Sequence, residues 1–337
     1  MTWQYSEWHA THALPLGATQ RTEVGARVRA GDVIASGTTY GSAVRVAAAR
    51  RLGVAPDDLA RVMRVPLGAE VEKGAIIART GRRFARAVSA PIDGRLVHIR
   101  ADGDVEVATI VDRWTVRATL DGIVKASDDS EVVIEGFAWG LQGVAAYGPD
   151  AFGEITLAVE TAGMELPPSR IDVRHEGRIL IGGGRSGAEA IARAHACGAA
   201  AVVAGAVPAN GLRVLFGDDT GAHSKVVRGD VPTVLCLLGF GNAPLPASLF
   251  APLAELAGTR AAIHSASARL FVFAARDAIR PPAQSPSLAL VSDWGALRPL
   301  EGSVSLGEEM AFPSEVSARV VVTADGPIPA ANVRSLA

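Results

Sequence analysis

An eleven-residue pattern occurs twice in this chain. Gly25-Ala-Arg-Val-Arg-Ala-Gly31-Asp-Val-Ile-Ala35 and Gly68-Ala-Glu-Val-Glu-Lys-Gly74-Ala-Ile-Ile-Ala78 agree at both glycines, at the second and last residues, both alanine, at one valine and at one isoleucine, with an offset of 43 residues. Each copy predicts a strand, a tight glycine turn and a second strand. The turn glycine supplies the positive φ that a short β-turn needs, and the apolar pair after it supplies a buried face. A second echo joins Ala90-Pro-Ile-Asp93-Gly94-Arg-Leu-Val97 to Ala118-Thr-Leu-Asp121-Gly122-Ile-Val124, both Asp-Gly turns between apolar strand residues.

These signals predict a mixed, mainly β protein. A β-domain spans 24–163 after an N-terminal arm, 1–23. A helical insert, 42–63, has Gly53 as a stop signal and Pro56-Asp57-Asp58 as a helix start. Met164 to Ser169 reads as a linker. From 170 to 265 the period changes: strand Arg178–Ile181, turn Gly182–Gly184, helix Ser186–Cys197 and strand Ala199–Val203 make one βαβ unit. Leu212–Phe216 and Pro232–Leu238 read as further strands and Ala247–Ala257 as a helix. The tail, 266–337, reads as a small SH3/KOW-like β-barrel.

At 337 residues the chain suits two or three domains. Hydrophobic residues make up 49% but aromatics only 5%, an apolar surplus that suits a subunit interface. A net charge of −2 gives no global attraction to nucleic acid or to an anionic membrane. Cys197 and Cys236 lie on apolar segments without a CxxC partner, as expected of buried thiols in a reducing cytoplasm, although a disulfide between them stays open. No signal peptide is expected. The charge-free stretch Ala194–Leu212 is broken by glycine and proline, so no membrane insertion is expected.

Gly68–Ala78 and Ser89–Val97 resemble the barrel-sandwich hybrid fold of biotinyl and lipoyl carriers. In those carriers a lysine on the hairpin before the Ala-Pro turn bears the prosthetic group. Here that stretch is Arg79-Thr-Gly-Arg82-Arg83-Phe84-Ala-Arg86, and no lysine lies between Lys73 and Lys125. Arginine cannot form the amide, so no cofactor is expected. Phe137-Ala-Trp-Gly-Leu-Gln142-Gly143-Val and Leu237-Leu-Gly-Phe240-Gly241 are similar to an uncharacterised bacterial family that combines a hybrid domain without the carrier lysine, an α/β domain and a terminal SH3/KOW-like barrel. That resemblance implies no activity.

Gly182, Gly183, Gly184, Arg185, Ser186 and Gly187 satisfy GxGxxG between a strand and a helix, where backbone N–H groups can cradle a phosphate. Arg185 and Ser186 would be the contacts, facing Asp218 and Asp219. No acid follows at the end of the next strand, which counts against a dinucleotide. Asp218-Asp219-Thr-Gly-Ala contains an aspartic-protease motif, yet no second copy supplies the partner carboxylate. His9 and His12 fall short of a ligand set, and the other histidines show no metal spacing with either cysteine, so no metal is expected.

Arg79, Arg82, Arg83 and Arg86 could grip a phosphate or an acidic partner, or guard a solvated strand edge. Trp3, Tyr5 and Trp8 have the composition of an anchor for a partner's groove, or of an arm folded back on its own domain. From Leu288 onward Asp293, Glu301, Glu308, Glu309, Glu315 and Asp325 outnumber Arg298, Arg319 and Arg334, which argues against nucleic acid and for a protein partner. The expected function is a non-enzymatic scaffold or assembly protein, homo-oligomeric or part of a larger complex. The alternative is a phosphate- or nucleotide-binding protein or enzyme using the Gly182–Gly187 turn.

Overall fold

The computed structural model describes residues 3–81, 85–216, 231–240, 244–279 and, between 288 and 336, the strand residues. It is mixed and mainly β, with strand at 46% against helix at 17%. The first half runs β1 (Gln4–Ala13), β2 (Ala18–Arg21), β3 (Arg27–Val28), β4 (Val33–Val46), α1 (Ala48–Leu52) and α2 (Leu59–Val62). It continues through β5 (Glu70–Val71), β6 (Ile76–Arg79), β7 (Ala87–Ser89), β8 (Gly94–Ile99), β9 (Val105–Arg117), β10 (Gly122–Ser127) and β11 (Glu131–Gln142).

The two sequence repeats fold alike and one sits inside the other. Gly25 and Gly31 take φ of 88° and 97°, and Gly68 and Gly74 take 86° and 89°, a region closed to most side chains. In the first copy Gly25 N–H donates to Val124 O at 2.8 Å and Gly31 N–H to Ala118 O at 2.8 Å. In the second, Gly68 N–H donates to Leu96 O at 2.8 Å and Gly74 N–H to Ala90 O at 2.9 Å. The Asp-Gly echoes complete the match: Asp121 Oδ1 accepts Ala30 N–H and Asp93 Oδ1 accepts Lys73 N–H, both at 2.7 Å.

Each copy therefore pairs with one echo, and each pair closes over its own apolar cluster. Val28, Ile34, Ala118 and Val124 belong to one, and Val71, Ile77, Ala90 and Leu96 to the other. The second pair lies wholly between Ala35 and Ala118 in sequence, so an inner module is inserted in an outer one. An antiparallel ladder of β4 on β9 joins them, from Val33↔Arg117 at the outer end to Val46↔Val105 at the inner end. Midway, Gly41–Ala43 and Val111–Arg113 are exposed on both strands.

The expected insert at 42–63 is shorter than its composition suggests. Residues 42–46 continue β4, because Val44 and Val46 take up the ladder with β9, and helix begins only at Ala48. The expected arm, 1–23, is mostly strand where it is described: β1 pairs with β11 along its full length, Gln4↔Gly140 to Ala13↔Glu131, and β2 pairs with β4.

Beyond β11 come β12 (Ala145–Tyr147), β13 (Ala151–Leu157), β14 (Ile179–Ile181), α3 (Ala188–Ala196), β15 (Ala201–Val207) and α4 (Ala209–Phe216). Then follow β16 (Thr233–Phe240), α5 (Ala247–Glu255), β17 (Arg260–His264) and β18 (Arg269–Val272). With strands of the first half they build an eleven-stranded sheet, β12-β16-β15-β14-β13-β17-β18-β11-β10-β3, with β1 added on β11. β13 to β16 are parallel, and β14-α3-β15 is the expected βαβ unit. The fully buried Ala201–Val207 and Ile179–Ile181 run apolar without alternation, as parallel strands covered on both faces require.

The sheet crosses two boundaries expected from sequence. β12 and β13 belong with the α/β strands, and β18 joins β17 and β11 instead of the tail. The expected linker is built in: Leu166 is 1% exposed and its N–H donates to Arg185 O at 2.9 Å. Leu212–Phe216, expected as a strand, is helical. Leu212 and Leu215 are buried one turn apart, and Pro208 stands where a helix begins, so the short apolar run serves a helix face. In the tail, β19 (Leu288–Asp293), β20 (Ala296–Glu301) and β24 (Val333–Leu336) form one antiparallel sheet. The strands β21 (Ser305–Ala311), β22 (Ser317–Thr323) and β23 (Gly326–Pro329) form another. Among the described residues no helix is long and apolar enough to cross a membrane.

Candidate functional site

The Gly182–Gly187 turn lies between β14 and α3, as its spacing requires, but the N–H groups of Gly182, Gly184 and Ser186 are turned to internal use, while Ser186 Oγ is buried without a hydrogen-bond partner among the described residues. Gly182 N–H donates to Val203 O at 2.8 Å, Gly184 N–H to Met164 O at 3.0 Å and Ser186 N–H to Ala206 O at 3.2 Å. Gly183, at φ 66°, lies under the crossing chain; a Cβ there would stand 2.5 Å from Met164 O. Arg185 pairs with Glu165 at 3.3 Å, and Ser186 is fully buried. The two expected contacts thus face an acid and the protein interior. Asp218 and Asp219 lie outside the described residues, so nothing places them against the turn.

Trp3 and the aromatic residues of β1 are spent on the chain's own core. Trp3 is 5% exposed and donates Nε1–H to Leu249 O at 3.3 Å. Tyr5 packs edge-on against Trp139, with ring centroids 5.6 Å apart. Trp8 donates to Ala138 O at 2.9 Å under the Arg269 guanidinium, 4.3 Å from its ring centre. Arg79 and Arg86 are exposed on the β6–β7 hairpin, while Arg82 and Arg83 lie outside the described residues. Cys197 and Cys236 are free thiols, and burial pushes that of Cys236 up to about 12.

The structure gathers a set that spacing along the sequence does not reveal: His12 from β1, Asp150 from the turn before β13, and His264 at the end of β17. One ligand atom from each lies within 4.8 Å of the others. His12 and His264 are 3% and 4% exposed. His12 Nδ1 stands 3.4 Å from Asp150 Oδ2 yet, though buried, has no hydrogen-bond partner among the described residues. The other ring nitrogen, Nε2, accepts Thr119 N–H at 3.3 Å and faces Thr119 Oγ1 at 3.3 Å. The free proton of the ring is thereby assigned to Nδ1.

Each member is held from behind. Asp150 Oδ1 accepts Ser265 N–H at 2.8 Å, leaving Oδ2 toward His12. His264 Nε2–H donates to Thr11 O at 3.1 Å, and Nδ1 accepts from Ser267 Oγ at 2.7 Å. Burial holds His264 below the usual histidine range; neighbouring Asp150 opposes this and His12 adds to it. The turn carrying Ser265 and Ser267 is itself clamped. Gln142 Nε2–H donates to Ser267 O at 2.6 Å, Gly143 N–H donates to Ala268 O at 2.7 Å, and Arg269 Nη2–H donates to Gln142 Oε1 at 2.7 Å.

Three sequence-distant segments and Thr119 of the Ala118–Val124 echo therefore meet at one polar node. No family model, curated protein or solved structure matches the chain.

Proposed function

We propose that this protein is a non-enzymatic scaffold, acting through protein–protein contacts of two hybrid-like modules that carry no prosthetic group. The observation behind this reading is an exposed apolar pair that recurs at equivalent positions of the two repeats. Val24 and Val33 flank the outer glycine hairpin at 61% and 46% exposure, and Leu67 and Ile76 flank the inner one at 57% and 43%. Single exposed apolar residues are ordinary, but the same two positions exposed on both copies form a repeated presentation. The inner pair stands beyond a ladder exposed at its middle. The likeness to carrier domains supports the modules' role as surfaces, since the hairpin that would bear a lysine has none.

Further copies of the chain are the first partner to test. Light scattering after gel filtration should give an assembly for the wild type, and a smaller species for Leu67→Asp/Ile76→Asp or for Val24→Asp/Val33→Asp. A wild-type monomer at high concentration, together with a pull-down that returns no partner, would remove the reading.

A further inference from the structure

We infer that His12, Asp150 and His264 bind one divalent transition-metal ion of the zinc class, independently of the scaffold reading. Two imidazoles and a carboxylate suit a borderline cation. Calcium and magnesium prefer all-oxygen sites, and copper(I) prefers sulfur.

The geometry is near that of a loaded site. Ligand bonds of about 2.0–2.1 Å at tetrahedral angles put neighbouring ligand atoms ~3.4 Å apart. His12 Nδ1 and Asp150 Oδ2 are 3.4 Å apart, and all three ligand atoms already lie within 4.8 Å. His12 Nδ1 supplies the independent sign of a missing ligand: on a side chain 1% exposed, it faces the carboxylate and has no hydrogen-bond partner among the described residues. Leaving a buried polar atom unpaired costs about 1–3 kcal/mol, which a coordinate bond would offset. Metal-bound histidines orient by donating from their other nitrogen; His264 has such an acceptor in Thr11 O, and for His12 the Thr119 hydroxyl can serve. His264 Nε2–H is fixed on Thr11 O at 3.1 Å, leaving Nδ1 as donor, and the Ser267 hydroxyl has a second acceptor in His264 O at 3.5 Å. On binding, the His12 proton moves from Nδ1 to Nε2, where Thr119 Oγ1 at 3.3 Å can accept it; the hydrogen bond that Nε2 accepted from Thr119 N–H is given up in exchange for the bond to the metal. Asp150, with a side chain 27% exposed, marks the solvent side through which an ion enters and on which a water completes the shell.

The test uses the full chain, stripped with chelator and titrated with Zn2+ by calorimetry and with Co2+ by visible absorption. One ion per chain is expected, with cobalt bands of a nitrogen/oxygen site and no thiolate charge-transfer band. Asp150→Asn and His12→Gln should each weaken affinity about tenfold or more, as losing a metal-orienting or metal-binding group does, while exposed His98→Asn leaves it unchanged. If His12→Gln fails to fold, the isosteric Asp150→Asn and the wild-type cobalt spectrum still decide. Absence of stoichiometric binding by wild type, a thiolate band, or full affinity in Asp150→Asn would overturn the assignment.

Discussion

Removing one carboxylate from each echo tests whether the two modules are mechanical equivalents. In Asp93→Ala the amide of Lys73 loses its acceptor at 2.7 Å, and in Asp121→Ala that of Ala30 loses its own at 2.7 Å. A hydrogen bond to a charged acceptor contributes about 1.5–3 kcal/mol. At 1.4 kcal/mol per factor of ten, the local opening that exposes each amide should become about 10- to 100-fold more frequent. Asp121 carries a further partner, Arg260 Nη2 at 3.0 Å, but that pair is largely solvated and adds no more than ~1 kcal/mol. Hydrogen exchange read by NMR or by mass spectrometry of short peptides gives the answer. Asp93→Ala should speed exchange around Lys73 and Gly74 and leave Ala30 and Gly31 protected, and Asp121→Ala should do the reverse. Loss of protection in both modules from either substitution would show that they open as one unit and refute the equivalence.

Other outcomes follow from named contacts. Trp3→Ala should lower stability by about 3–5 kcal/mol in urea unfolding, since a buried indole is removed and Leu249 O loses its donor. Gly183→Ala should cost more than Gly177→Ala: both glycines sit at positive φ, 66° and 67°, but only at 183 would the new methyl meet a carbonyl, at 2.5 Å. The Cys236 thiol should resist disulfide reagents at pH 8 in the folded chain. Because it is released near 9.0 when unfolded and only at about 12 when folded, its contribution to stability is present below pH 9 and lost as pH rises toward 12. Asp172, held down to about 2 chiefly by its hydrogen bond from Arg174, loses its contribution as pH falls from 3.8 toward 2, which acid melts of Arg174→Ala would reveal as a flatter profile.

What could be read from the sequence was whatever a few adjacent residues decide. The glycine hairpins, the Asp-Gly turns and the βαβ unit rest on local φ requirements and periodicity, and so the mainly β character was visible. Pairing partners were not visible, because a strand's neighbour is chosen by the apolar face it must cover. Thus β1 looked like an arm, although Trp3, Ala10 and His12 turn inward from it. Leu212–Phe216 was too short for its period to separate strand from helix. The polar node was hidden for the same reason: His12, Asp150 and His264 are brought together by the β1–β11, β11–β18, β17–β18 and β13–β17 pairings. The one local trace was Gln142-Gly143, whose use as a clamp on the Ser267–Ala268 turn composition alone cannot show.

The paired residues Val46 and Val105 have a consequence for how such a chain can vary. Because the polypeptide enters and leaves the inner unit at one rung of the ladder, that unit is a cassette. Closing the ladder without it gives up the β8 pairing on Val105–Ala108 and the Arg95–Tyr40 and Arg113–Glu70 hydrogen bonds, but it leaves the outer rungs from Val33↔Arg117 to Thr38↔Arg113 in place and shortens the loop whose closure opposes folding. Length and specificity can therefore change at this end of the molecule while the large sheet keeps its register.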